Sequence, residues 1–122
     1  MSVVKDLVHR IGRTKPLTSE EGRDILKRDR YRCQYCGLDG TASFENSLVM
    51  SVDFVVPRAR KGKKDPRNLV AACRACNLIK GRHSFNSFEE AKEYVQKRRE
   101  ELRDEWEGKM APLRSRSATA KV

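Results

Sequence analysis

The period of hydrophobic and polar positions changes several times along this chain, and each change marks an element. Val3, Val4, Leu7, Val8 and Ile11 are interleaved with Lys5, Asp6, His9 and Arg10, which predicts a short amphipathic helix and linker over residues 1–16, with His9 on its polar side. Thr18 and Glu21 stand at capping-box spacing ahead of a helix that carries Ile25 and Leu26 and stops near Asp29. Residues 38–47, rich in Gly, Thr, Ser and Asn, predict a loop, and the β-branched run LVMSVDFVV, residues 48–56, predicts a strand ending at Pro57. A loop to Arg67 follows, then a short apolar run from Leu69 to Ala72, then a helix through Asn77 to about Lys80 that Gly81 closes. Ser87 and Glu90 repeat the capping-box spacing, and Phe88, Ala91, Val95, Leu102 and Trp106 recur on one helical face that is expected to pack on the core. Residues 109–122 predict a disordered basic tail of net charge +4. The chain thus divides into 1–16, a domain over 17–108, and 109–122.

All four cysteines fall in two C-x-x-C pairs, Cys33 with Cys36 and Cys73 with Cys76. Thiolates at this spacing can face one ion from a tight knuckle, and two knuckles complete a closed tetrahedral shell, so a structural zinc ion is expected. Two disulfides or a redox-active pair are the competing readings, and a redox motif needs no matching second pair. A closed zinc shell organises a fold and leaves catalysis to other residues. At 122 residues and 14.0 kDa, with 7% aromatic residues, the core must be small, and a metal that contributes folding free energy makes physical sense.

No stretch is long and apolar enough to span a bilayer, and the mixed polarity of the first residues is unlike a signal peptide. With a thiolate site this predicts a reducing, cytoplasmic setting and no membrane partner. The formal net charge is +10, but it is segregated: residues 57–67 hold six basic and one acidic residue, whereas 86–108 hold five basic and eight acidic. A basic, flexible loop between two zinc knuckles predicts a polyanionic partner, foremost nucleic acid. A solvated loop without a partner is the alternative.

The series RDRYRCQYCG, SVDFVVPRAR and NLVAACRACNLIKG resembles the HNH endonuclease family in its four-cysteine, zinc-containing form, over residues 23–83. The resemblance implies an α+β fold: a small zinc-stabilised domain with a ββα-metal unit and flanking helices. It implies that Asp53 and Asn77 hold a catalytic divalent ion, Mg²⁺ or Mn²⁺, and that Asn68 braces the loop between the strands. The family's motif is normally Asp-His, and the His that activates the attacking water falls on Phe54. A phenyl ring cannot take a proton, so hydrolysis is expected to be impaired. His83, six residues after Asn77, is a surrogate base only if its loop swings back toward the Asn77 face.

Arg58, Arg60, Lys61, Lys63, Lys64, Lys80 and Arg82 are the expected nucleic-acid-binding residues. They would contact phosphates, giving salt-dependent affinity for DNA with little sequence specificity. Two functions follow: a metal-dependent endonuclease of HNH type, or a DNA-binding zinc module without catalysis. A protein-interaction module using the first and last helices is a third. The sequence sets neither the choice between DNA and RNA nor the oligomeric state.

Overall fold

The computed structural model describes residues 15–120, so the amphipathic segment expected at the start, with His9, lies outside the described residues. The elements run α1 (Ser19–Arg28), α2 (Phe44–Leu48), β1 (Met50–Phe54), two single 3₁₀ turns (Arg58–Arg60 and Pro66–Asn68), β2 (Leu69–Cys73), α3 (Arg74–Lys80) and α4 (Phe88–Ala120). The chain is a small α+β unit in which β1 and β2 pair antiparallel, Met50 opposite Cys73 and Phe54 opposite Leu69, and α3 follows directly.

α1 begins as its sequence dictates. The Thr18 hydroxyl accepts the Glu21 N–H at 3.1 Å and the Glu21 carboxylate accepts the Thr18 N–H at 2.9 Å, which satisfies two helix-end donors reciprocally. Its far end seals the outer edge of β2. Arg28 pairs with Asp29 through two hydrogen bonds of 2.9 and 3.0 Å and donates to the carbonyls of Pro66 and Leu69. Asp29 accepts the Ala71 N–H at 2.8 Å, and the Ala71 carbonyl accepts the Gln34 N–H at 2.9 Å. An edge strand that would otherwise be open to pairing is thus covered by α1 and the first knuckle.

The core lies between the knuckles, β2 and the start of α4, where Cys33, Tyr35, Val55, Ala72, Cys73, Cys76, Ala91 and Val95 are buried. The apolar stripe of α4 is only half used: Ala91 and Val95 are fully buried, while Trp106 is 49% exposed. Three expectations change. The loop over 38–47 contains α2, because Ser43 caps it by accepting the Asn46 N–H at 3.0 Å. The first strand is shorter than 48–56, because the Asn68 side chain takes both the N–H and the carbonyl of Val56 away from the sheet. The helix continues to Ala120 across the segment expected to be an irregular tail, with Pro112 inside it. Arg114 supports that continuation, reaching back to Glu107 at 2.7 Å and lying 5.3 Å from the centre of the Trp106 ring.

A candidate metal and nucleic-acid site

The two knuckles bring the four sulfurs together, all within 4.8 Å of one another. Cys36 Sγ and Cys73 Sγ are 3.7 Å apart, close to the roughly 3.8 Å edge of a tetrahedron with arms of about 2.3 Å. In each knuckle the N–H of the second cysteine faces the first sulfur at 3.5 Å, and Gly37 makes the first turn in the left-handed region, φ 81°. Four convergent thiols with no disulfide among them fit one Zn²⁺ ion, held by Cys33, Cys36, Cys73 and Cys76. Arg99 of α4 approaches Cys76 Sγ at 3.6 Å, and despite partial burial the neighbouring thiolates raise its pKa further. With zinc bound, a tetrathiolate centre would carry excess negative charge, and this guanidinium would offset part of it.

β1 and α3 form the second centre. A cleft of about 220 Å³ is lined by Val52, Asp53, Phe54, Pro57, Arg58, Asn77, Lys80 and Gly81. Asp53, Phe54 and Asn77 therefore share one cleft. Asn77 donates to Ser51 Oγ at 3.0 Å, which fixes its amide against β1. Asp53 is only 6% exposed, and its two oxygens are held separately. Oδ2 accepts the Tyr35 hydroxyl at 2.5 Å and Oδ1 faces Lys80 Nζ at 3.3 Å. Burial raises the Asp53 carboxyl above the usual carboxylate range, against the downward pull of Tyr35 and Lys80. Burial and the adjoining Asp53 charge push the Tyr35 phenol well up, so it remains a donor at any ordinary pH. The donor types suit a hard divalent ion that keeps much of its own water: one carboxylate, one amide and room for phosphate oxygens.

Two of the expected phosphate contacts are otherwise engaged. Lys80 is 1% exposed and also donates to the Phe54 carbonyl at 3.0 Å, so it cannot meet a phosphate from solution and serves instead as the internal cation for Asp53. Its helical position explains this: three residues after Asn77, it lies on the α3 face that packs on β1. Lys64 pairs with Glu21 at 2.9 Å. The Thr18 N–H and Lys64 together hold the Glu21 carboxyl down at about 2. Arg60, Lys61, Lys63 and Arg82 are exposed, and Arg58 lines the cleft. His83 is not among the residues lining the cleft; its ring lies 5.1 Å from Tyr94 and 6.3 Å from Phe85, toward α4.

The basic loop is built rather than loose. Asn68 Nδ2 donates to the carbonyls of Val56 and Lys63, and its Oδ1 accepts the Val56 N–H at 2.8 Å. Pro57 O accepts the N–H groups of Arg60 and Gly62 at 2.8 and 2.9 Å, and Lys61 adopts the left-handed region, φ 66°. Gly62 is buried here, and a side chain on it would collide with the Val56 carbonyl and come within 2.8 Å of Pro57 O. Gly62→Ala should therefore cost about 1–3 kcal/mol, read as a lowered urea midpoint with unchanged zinc content. A midpoint equal to that of the parent would show that the loop packing is soft. Gly62, Tyr35, Ser51 and Arg99 are site residues that pattern reading passes over.

Residues 33–83 match the model of the HNH endonuclease family. The matched segment spans both knuckles, α2, β1, β2 and α3. Among curated proteins, the CRISPR-associated endonuclease Cas9 of Corynebacterium diphtheriae is 41% identical over 61 residues. That alignment covers 49% of this chain and 5% of the relative, so the chain spans about one-twentieth of that protein's length. No solved structure matches at a significant level. No helix among the described residues is long and apolar enough to cross a membrane.

Proposed function

We propose that this chain is a DNA-binding module of HNH type whose cleft retains the ion and phosphate site and whose hydrolytic step is impaired. The observation that carries the reading is the lining of the cleft: Asp53 and Asn77 with Arg58, and a half-buried phenyl ring, Phe54, where HNH nucleases use histidine. Asp53 and Asn77 would hold a Mg²⁺ or Mn²⁺ ion, which supplies charge neutralisation and polarisation of a phosphoryl oxygen. Arg58, Arg60, Lys61, Lys63 and Arg82 would position the DNA backbone by charge, with little reading of base edges. Asn68 keeps the loop in shape and takes no part in the chemistry. Phe54 can neither accept the proton of an attacking water nor donate to a leaving oxygen, and a missing general base costs about 10²- to 10⁴-fold.

Relaxation of supercoiled plasmid with Mg²⁺ or Mn²⁺ tests this, since one nick converts one molecule. Phe54→His should nick about 10²- to 10⁴-fold faster than the parent chain, and EDTA or Asp53→Ala in the Phe54→His background should abolish the gain. DNA affinity should be equal in both proteins and fall steeply with salt. Rapid, EDTA-sensitive nicking by the parent chain would instead make it an active endonuclease working without the histidine.

A further inference from the structure

The Tyr35 side chain joins the first cysteine knuckle to the cleft. Tyr35 stands between two zinc ligands, Cys33 and Cys36, and is 1% exposed. Its ring leans on Phe88 with centroids 5.2 Å apart, and its carbonyl accepts Gln96 Nε2 at 3.0 Å, so α4 holds it from both ends. Its hydroxyl ends on Asp53 Oδ2 at 2.5 Å. A short charge-assisted hydrogen bond of this kind fixes both the position and the rotation of a carboxylate. Oδ2 is thereby committed to the interior, and Oδ1 is the oxygen that faces Lys80, whose ammonium a cation binding there would have to displace.

We propose that Tyr35 is a positioning residue through which the cysteine-bound zinc sets the presentation of Asp53 to the divalent ion of the cleft. The inference rests on the reading of Asp53 as an ion ligand. In physical terms the soft-metal site acts as the anchor, the knuckle as a rigid arm, and the phenol as the contact that selects one carboxylate oxygen. Loss of a hydrogen-bond partner behind a metal ligand typically weakens the metal by tenfold to a hundredfold. The phenol of the knuckle bonds Asp53 directly, so removing one oxygen atom tests the link without altering the zinc ligands.

The test is Mn²⁺ binding by electron paramagnetic resonance to zinc-loaded full-length protein mixed with a short DNA duplex. Four proteins are compared: the parent, Tyr35→Phe, Phe88→Leu and Asp53→Ala. Tyr35→Phe keeps the ring and should keep one zinc per chain, while its Mn²⁺ affinity falls tenfold to a hundredfold. Phe88→Leu leaves the hydroxyl in place but loosens its ring, and should lower the affinity in the same direction by less. Unchanged Mn²⁺ affinity in a zinc-replete Tyr35→Phe protein overturns the positioning role while leaving the ion site standing. Should Tyr35→Phe fail to load zinc, Phe88→Leu decides, and parental affinity in that variant also overturns the proposal. Equal Mn²⁺ binding by the parent and Asp53→Ala removes the ion site itself, and the proposal falls with it.

Discussion

Stripping zinc with a strong chelator should unfold the domain cooperatively, with loss of sheet and of the first turns of α4. The apparent free energy of a structural zinc site is about 10–16 kcal/mol at neutral pH, against a total stability of about 5–15 kcal/mol for an ordinary domain. The ion's contribution therefore matches or exceeds what the rest of the fold can supply. The core makes the dependence sharper, since Cys33, Cys73 and Cys76 are themselves core residues packed with Tyr35, Ala91 and Val95. Without the ion, four thiols with centres within 4.8 Å of one another lose the charge that holds them together. Far-UV circular dichroism and amide spectra with and without chelator would read the loss, and Cys33→Ser or Cys76→Ser should reproduce it. A chelated protein that keeps its dispersed amide spectrum would overturn the claim. Because thiolates bind the ion and thiols do not, the folded fraction should also fall as pH drops at fixed zinc.

Replacing Lys80 by alanine should cost about 3–5 kcal/mol, the largest effect expected of any substitution outside the cysteines. The reason is burial on both sides: the Lys80 side chain is 1% exposed and that of Asp53 7%, with Nζ and Oδ1 3.3 Å apart. Alanine leaves the buried carboxylate without its ammonium partner, against the Tyr35 hydroxyl. The sign with pH follows from the raised Asp53 pKa. A carboxyl whose folded pKa lies above its unfolded value costs stability in full above the folded pKa; the cost shrinks as pH falls below that value and is gone below the unfolded one. The loss in Lys80→Ala should therefore be greatest near neutral pH and shrink on acidification. Urea midpoints at several pH values measure it. The paired change Asp53→Asn with Lys80→Met should recover most of the stability, because removing both charges removes the imbalance. A double variant no more stable than Lys80→Ala would assign the loss to packing.

How much of this was legible in the sequence depends on the distance over which each group finds its partners. The Thr18 and Glu21 cap, the cysteine knuckles and the strand, loop, strand, helix order are set by residues a few positions apart, and spacing alone announces them. Asn68 was readable as a brace only through the family pattern, and it clasps Val56 and Lys63 on either side of the basic turn. The fate of Lys80 was harder to see. Its charge suggested phosphate, while its partner Asp53 lies 27 residues earlier on another element. The available signal was helical: Lys80 lies three residues after Asn77, on the same face. Tyr35 offered no such signal, since its place between two cysteines speaks of zinc and its contact with Asp53 exists only in the fold. Gly62 was hidden by the lysines on either side of it.

The pinned loop over residues 57–67 bears on how a polyanion would be captured on the proposed reading. Fixing a mobile segment costs roughly 1–2 kcal/mol for each residue brought to order. A loop of this length that became structured only on docking would surrender much of its Coulombic gain to lost chain entropy. Here Asn68, Pro57 and the buried Gly62 impose that order before any partner arrives. On the proposed reading, Arg60, Lys61 and Lys63 would meet phosphates as a preset array of charges, so that counter-ion release rather than folding would govern the encounter.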